Sequence, residues 1–191
     1  MVKVIGVCGS TRLHGNTEYL LNVALQVCSN QGIETELITL ADKQVEDCQN
    51  CRHCRQVPGE CAQKDDVPPI YAALKGSDAF ILASPVYYAS ISGKMKCFID
   101  RIGWLSSGEG RVFERKVGGG LVVARRAGFI FALHELNSLF LQQGMIVPGS
   151  TYWNLAIGRE PGEVAGDEEG IRTAQNFAAN LAWLVEKLSK G

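Results

Sequence analysis

The sequence predicts an α/β fold in which a five-stranded parallel sheet, ordered 2-1-3-4-5, lies between two layers of helices. Short apolar runs rich in β-branched residues alternate five times with segments of helical periodicity, as in successive βα units. Right-handed crossovers between parallel strands then place helices on both faces of the sheet. The 191 residues, 46% of them hydrophobic, suffice for one core, and we expect a single domain over residues 1–191.

The first half of the chain supplies three strands and the helices between them. Each strand is a short apolar or alternating run, and each helix begins at a polar residue. The predicted elements are a strand at residues 2–8, a helix from about Asn16 that ends at Gly32, a strand at 33–40, a helix from Asp66 to Lys75 and a strand at 79–84.

The second half completes the alternating pattern. The predicted elements are a helix at residues 91–102, a strand at 116–124, a helix carrying Phe129, Leu133, Leu136 and Phe140, a fifth strand at 145–147 and a final helix carrying Phe177 and Leu181. Three successive glycines, Gly118, Gly119 and Gly120, lie inside the fourth strand, where they indicate a close approach by another element. Residues 149–166 exceed the minimal pattern, and their Tyr152 and Trp153 suggest an arm that reaches a second subunit.

The most informative feature is a loop at about residues 47–64 that contains four cysteines. Cys48, Cys51, Cys54 and Cys61 have the spacing C-x2-C-x2-C-x6-C. Two-residue gaps let neighbouring thiolates converge on one inorganic centre, and this compact pattern is typical of a 4Fe–4S cluster. A redox-active or vestigial thiol loop comes second, and zinc third, because structural zinc usually pairs two C-x2-C units across a longer gap. Disulfides come last, since the N-terminal segment carries no secretory pattern and we expect a reducing cytoplasm.

A candidate phosphate loop follows the first strand, at residues 9–17. It has neither a G-x-G-x-x-G pattern nor a Walker lysine. Polar donors are supplied instead by Ser10, Asn16 and Thr17, and Arg12 adds a positive charge. With the N–H groups of the following helix they form an anion site that suits a monophosphate.

Two further loops lie at the same predicted edge of the sheet. Residues Pro85, Val86, Tyr87 and Tyr88 follow the third strand and offer backbone donors and aromatic faces to a flat heterocycle. Packing of these tyrosines under the next helix is the alternative interpretation. The loop after the fourth strand carries Arg125, which either meets an anionic ring or phosphate or is solvated.

Together these motifs resemble the iron–sulfur flavoprotein branch of the NADPH-dependent FMN reductase family. The resemblance rests on the phosphate loop, on SPVYY with GKMKCFIDR behind it and on the cysteine motif, and it implies a flavodoxin-like fold with FMN and a 4Fe–4S cluster. It assigns the phosphate to Ser10, Arg12, Asn16 and Thr17, the isoalloxazine to Pro85, Val86, Tyr87 and Tyr88, the cluster to Cys48, Cys51, Cys54 and Cys61, and a structural role to Asp100 and Arg101. It also implies a homodimer or homotetramer in which the cluster exchanges electrons with FMN, often across the subunit interface.

The function expected from these residues is FMN-dependent oxidation–reduction or electron transfer, with ferredoxin or NAD(P)H as electron donor. No catalytic side chain is assigned, because the redox chemistry belongs to the cofactors. The first alternative is an NAD(P)H-dependent FMN or quinone reductase without a cluster, and the second is a zinc-stabilised binding module. The formal net charge of −1 and the absence of a basic stripe argue against nucleic acid, and no apolar run approaches a membrane span. For the subunit contact we expect apolar surface from residues 149–166 and from the helix carrying Met95, Phe98 and Ile99.

Overall fold

The computed structural model describes residues 2–189, which form a five-stranded parallel sheet in the order β2-β1-β3-β4-β5. The strands are β1 (Lys3–Cys8), β2 (Glu34–Thr39), β3 (Ala79–Pro85), β4 (Val117–Ala124) and β5 (Leu155–Ile157). The helices are α1 (Asn16–Asn30), α2 (His53–Gln56), α3 (Val67–Gly76), α4 (Gly93–Gly108), α5 (Phe129–Gln142) and α6 (Glu168–Ser189), and a 3-10 helix lies at Glu163–Gly166. The predicted fold class and strand order are confirmed.

The predicted position of the fifth strand is wrong. Within residues 145–147 only Ile146 makes an isolated bridge, with Val117 at the start of β4. Pro148, which has no N–H to donate, follows directly and ends this pairing. The chain returns to the sheet at Leu155, which pairs with Val122 near the carboxyl end of β4. Residues 149–166 therefore contain β5 and the 3-10 helix and are not simply an arm.

The sheet is covered on both faces by separate apolar clusters. One face packs against α3, α4 and α5 and includes Ile5, Phe80 and Phe140. The other packs against α1 and α6 and includes Leu20, Ile81 and Phe177. Strands buried on both faces explain why β3 and β4 are apolar at nearly every position in the sequence.

The three glycines of β4 allow the helices to approach closely, as predicted. A Cβ on Gly118 would overlap the Phe140 ring of α5, and one on Gly119 would overlap the Phe177 ring of α6. The strand is therefore clamped from both faces, and its carboxyl end has a fixed position relative to the neighbouring loops.

Part of the surface expected for subunit contact lies inside the protein. Met95 and Phe98 are fully buried and Ile99 is 8% exposed, because this side of α4 faces the sheet and not the solvent. Tyr152 and Trp153 are exposed, as expected. Within residues 2–189, no helix has both the length and the apolar character that a membrane span requires.

Candidate flavin and cysteine sites

A pocket of about 150 Å³ opens at the carboxyl edge of the sheet, where the strand order reverses between β1 and β3. Eight of the nine predicted flavin residues line it, namely Ser10, Arg12, Asn16, Thr17, Pro85, Val86, Tyr87 and Arg125. Tyr88 does not line this pocket, because its side chain extends fully into solvent. The topology has thus brought three loops that are distant in the sequence to one pocket.

The first turn of α1 supplies the pocket with unpaired backbone donors. Its N-cap is Gly15, so no side chain caps the helix, and the positive end of the helix dipole faces the phosphate loop. Ser10 and Thr17 are both buried, and the Ser10 hydroxyl accepts a hydrogen bond from the Arg12 N–H at 3.0 Å. Uncapped N–H groups beside buried hydroxyls fit a phosphate monoester.

The Asn16 side chain is engaged with the loop that follows β5. Its Nδ2 donates to the Glu160 carbonyl at 2.8 Å, and its Oδ1 accepts from the Gly162 N–H at 2.8 Å. This loop brings Arg159 into the pocket, where it joins Arg12 and Arg125 as a third guanidinium. The Asn16 side-chain amide therefore fixes one wall of the pocket.

The second loop is held in a tight turn. Tyr87 and Ser90 exchange two backbone hydrogen bonds, and the residues between them, Tyr88 and Ala89, have φ values of 49° and 63°. Residues other than glycine rarely adopt this left-handed backbone conformation, which costs roughly 1–2 kcal/mol per residue. Such strain persists only where the surroundings impose it, and it is common at binding sites.

Glu135 on α5 holds this turn in place. Its Oε2 accepts from the Ser90 hydroxyl at 2.7 Å and from the Ile91 N–H at 3.2 Å. Gly128, at the start of α5, packs closely against Ala89, and a Cβ on Gly128 would overlap the Cα of Ala89. The strained turn is thus fixed by the neighbouring βα unit.

A second pocket brings the four cysteines together. Cys48, Cys51, Cys54 and Cys61 all line it, with Arg101, Trp104 and Leu105 of α4 among the other residues that form its walls. Between the first three cysteines, Asn50 and Arg52 adopt left-handed backbone conformations, which turn the chain sharply within a few residues. The single turn of α2 that contains Cys54 was not predicted from the sequence.

The base of the cysteine loop is closed by hydrogen bonds between its two ends. Asp66 has the predicted N-cap position of α3, but its carboxylate accepts from the Gln44 N–H at 2.7 Å instead of from its own helix. The Asp66 N–H in turn donates to the Gln44 carbonyl, and Gln63 Nε2 donates to the Asp47 carbonyl at 2.9 Å. The loop is therefore a closed structure and not an open excursion of the chain.

The cysteine loop packs directly on α4. Gly108 lies against the Cys54 carbonyl, and a Cβ at this position would overlap that oxygen. The Arg55 guanidinium lies 4.8 Å from the centre of the Trp104 ring, in a cation–π contact. Both contacts fix the segment around Cys54, the third cysteine.

A buried ion pair completes this attachment. Arg101, almost fully buried, binds the Asp65 carboxylate through both terminal nitrogens, and its Nη2 donates to Cys61 Sγ at 3.2 Å. Burial by itself raises the pKa of Asp65, but Arg101 and two backbone N–H groups outweigh it and lower that pKa. The resemblance assigned Arg101 only a structural role, whereas the structure places it beside a proposed ligand.

The thiols are close enough to influence one another. Burial raises the pKa of Cys54, and the charges of Cys48, Cys61 and Cys51 raise it further. Elsewhere, burial raises the pKa of Cys28 to about 11, as befits an inert core thiol, and Cys97 is only half-buried. Among residues 2–189, no three His, Cys, Asp or Glu side chains are arranged to hold a single metal ion.

The comparison with protein families decides the assignment of the chain. Residues 2–160 match the family described as NADPH-dependent FMN reductase. The chain belongs to this family. It is accordingly a flavin-dependent oxidoreductase with FMN as cofactor.

Similar proteins extend over the whole chain. An iron–sulfur flavoprotein of Methanocaldococcus jannaschii is 36% identical over 99% of this chain and 100% of its own length. Another, from Archaeoglobus fulgidus, is 35% identical over 97% of this chain and 81% of its own. Among solved structures, RosB with a bound riboflavin-phosphate intermediate has a TM-score of 0.78 at 17% identity, and covers 100% of this chain and 81% of its own. A WrbA-like flavodoxin protein of Agrobacterium tumefaciens has a TM-score of 0.67 at 18% identity. The match covers 98% of this chain and 99% of that protein.

Several residues at the two sites escaped the sequence analysis. Arg159 belongs to the segment interpreted as an arm, and Glu135 is one polar residue on an otherwise ordinary helix. Trp104 lines the cysteine pocket and Asp65 binds Arg101, and neither residue belongs to the cysteine pattern. The resemblance gave Arg101 a structural role, but its partner Asp65 lies 36 positions away and no local pattern joins the two residues.

Proposed function

We propose that this protein is an FMN-dependent electron-transfer oxidoreductase that couples a 4Fe–4S cluster on Cys48, Cys51, Cys54 and Cys61 to FMN at the carboxyl edge of the sheet. The observation that carries this proposal is the shared pocket into which all four cysteines converge. Similarity to proteins named iron–sulfur flavoproteins over nearly the whole chain supports it.

The donor set of the cysteine pocket fits a cluster better than zinc. Four thiolates around one zinc ion must lie within about 2.3 Å of the metal. In a cluster each cysteine binds a different iron, so the thiols are spread more widely. The compact C-x2-C-x2-C-x6-C spacing of the four cysteines that line this pocket favours the second arrangement.

At the flavin pocket the protein's part is to bind and orient. The uncapped start of α1, with Ser10, Thr17 and the three arginines, would hold the phosphate, and the turn Tyr87–Ser90, fixed by Glu135, would position the ring. FMN itself takes up one or two electrons and so joins a two-electron partner to a one-electron carrier. No side chain is assigned a proton transfer.

The distance along α4 argues for an electron path between subunits. The helix begins at the flavin loop and runs back toward the amino edge of the sheet, because it joins the parallel strands β3 and β4. From its N-cap Ser92, the helix rises roughly 13 Å to Arg101 and 24 Å to Gly108. The cysteine pocket is thus displaced from the flavin pocket of its own chain, and we propose that its electron partner is the flavin of a neighbouring subunit.

The flavin pocket also favours assembly. At about 150 Å³ it is smaller than the roughly 300–1,000 Å³ that encloses a whole drug-sized ligand, so another surface would cover the rest of the flavin. Tyr152, Trp153 and the fully exposed Tyr88 supply aromatic surface. We propose a homodimer or homotetramer, which sedimentation at micromolar concentration would show as at least two chains per particle. A monomer that retains flavin would exclude the path between subunits.

The visible spectrum of anaerobically purified protein, with iron and sulfide analysis, tests the central proposal. Two resolved flavin bands with a broad shoulder, and about four iron and four sulfide per chain, are expected. Flavin without iron or sulfide would instead indicate the cluster-free NAD(P)H-dependent FMN or quinone reductase. Stoichiometric zinc without flavin would indicate the binding module. A reducing compartment such as the cytoplasm suits the thiol ligands, and ferredoxin and NAD(P)H are the donors to assay.

A further inference from the structure

Arg101 makes a contact that neither the family nor the cysteine pattern explains. The two-residue gaps bring Cys48, Cys51 and Cys54 together through local geometry, whereas Cys61 arrives after the turn at Pro58 and Gly59. Its position therefore depends on a tertiary contact, and Arg101 supplies one through the hydrogen bond from Nη2 to Cys61 Sγ at 3.2 Å.

The guanidinium is held rigidly at this place. Its side chain is 1% exposed, and both terminal nitrogens bind Asp65, which lies four residues after Cys61. One side chain on α4 thus fixes two points of the cysteine loop. A planar guanidinium can do this because its fork of donors is preorganised, whereas an ammonium group acts as a point charge.

A donor on the same side chain is left without a partner. Arg101 Nε is buried and makes no hydrogen bond to any described residue. Buried N–H groups are rarely left unsatisfied, and Arg101 lines the cysteine pocket. The sulfur atoms of a bound cluster are acceptors of the kind that this orphaned donor requires.

We propose that Arg101 is a positioning residue of the cysteine site that raises the reduction potential of the bound cluster. The inference rests on the proposed function. When the site accepts one electron, for example from dithionite, its net negative charge increases by one. The ion pair with Asp65 is neutral overall, but the guanidinium is the member that donates to Cys61 Sγ. Its nearby positive charge and the N–H···S hydrogen bond favour the more negative state, and both are known determinants of cluster potentials.

A redox titration monitored by electron paramagnetic resonance tests the proposal in the holoprotein, with FMN in the same sample as an internal reference. Arg101→Gln should lower the cluster potential so that, at a fixed ambient potential, the ratio of reduced to oxidised cluster falls at least tenfold. That change corresponds to 59 mV for one electron. The FMN potential should stay unchanged.

Two further variants isolate the effect. Arg101→Lys keeps the charge and an ion pair with Asp65 but loses the fork, so a smaller shift in the same direction is expected. Lys96→Met removes a positive charge from the same helix at an exposed position paired with Asp100, where solvent screens it, and should leave both potentials unchanged.

The outcomes distinguish the role inferred for Arg101 from the proposed function of the whole protein. A folded Arg101→Gln protein without iron, when Arg101→Lys retains it, would support the positioning role. If Arg101→Gln does not fold, the cluster potential of Arg101→Lys tests the inference, and it should be lower than that of the wild type. Unchanged cluster potentials in the folded Arg101 variants, or shifts no larger than that of Lys96→Met, would overturn the inference and leave the proposed function standing. A wild-type protein that binds no iron would overturn the proposed function itself.

Discussion

The flavin pocket and the cysteine pocket are built by different means. The candidate flavin pocket lies where β1 and β3 end, and it combines the uncapped start of α1 with polar and charged side chains from loops at that edge of the sheet. The cysteine pocket lies in a loop outside the sheet, and it uses side chains held by α4. One site follows from the topology, whereas the other depends on a few specific contacts. Single substitutions should therefore damage the second site more severely than the first.

Loss of a thiol should have the largest effect. Cys51→Ser is expected to abolish iron binding and leave FMN bound, because a hydroxyl does not replace a thiolate in a cluster and Cys51 lies in an exposed part of the loop. Cys28→Ser, at a core thiol distant from the pocket, is the matched control and should retain both cofactors. Equal loss of iron from both variants, measured per folded chain, would mean general destabilisation and not ligation.

Breaking the buried ion pair should be the next most damaging change. Asp65→Ala leaves Arg101 buried without its partner, which typically costs about 3–5 kcal/mol of unfolding free energy. Denaturant titration would measure this loss of unfolding free energy. The matched control is Asp100→Ala, which breaks the exposed ion pair between Lys96 and Asp100 and should cost less than about 1 kcal/mol.

The same pair predicts a pH dependence. Because the folded state lowers the pKa of Asp65, its contribution to stability is present above the unfolded value of about 3.9 and is lost as the pH falls through the folded value. Asp65→Asn should therefore flatten the acid limb of the stability profile below about pH 4. An unchanged acid limb would indicate that the pair contributes little.

At the flavin site a smaller effect is expected from Asn16→Ala. This change removes the hydrogen bonds from Asn16 to Glu160, Gly162 and Val164, which hold the loop after β5. The same loop brings Arg159 to the pocket, so FMN binding should weaken by about 1–3 kcal/mol. Isothermal titration of apoprotein with FMN measures this. Gln26→Ala, which removes an exposed hydrogen bond on the same helix, is the control. If FMN affinity is unchanged, the loop after β5 does not contribute to the site.

The smallest effect is expected at Glu135. Glu135→Ala removes the acceptor of Ser90 and Ile91 and should relax the strained turn, with a loss of about 1–2 kcal/mol in FMN binding. Glu135→Gln keeps a carbonyl acceptor and should bind FMN nearly as wild type. If the two variants bind equally weakly, the carboxylate charge and not the hydrogen bonding would be the important property.

Predictability differs between the two sites for the same physical reason. Ser10, Thr17, Pro85 and Tyr87 were found from the sequence because strand ends in a parallel sheet converge wherever the strand order reverses. Tyr88 was expected beside them, but the turn at Tyr88 and Ala89 directs its side chain to solvent. The role of each predicted residue in binding stays a prediction, as does the division of the chain into one domain.

The sequence by itself determined the α/β class, the strand order and the four-cysteine motif, because these depend on periodicity and spacing along the chain. Only the tertiary structure decided that the fifth strand lies at Leu155–Ile157, that Asn16 fixes a loop more than 140 residues away, and that Arg101 meets Cys61. These features depend on contacts between segments whose separation carries no local signal. An arginine looks the same in the sequence whether it is solvated or buried beside a carboxylate or a thiol. Only the packing of the folded chain determines which of these environments it has.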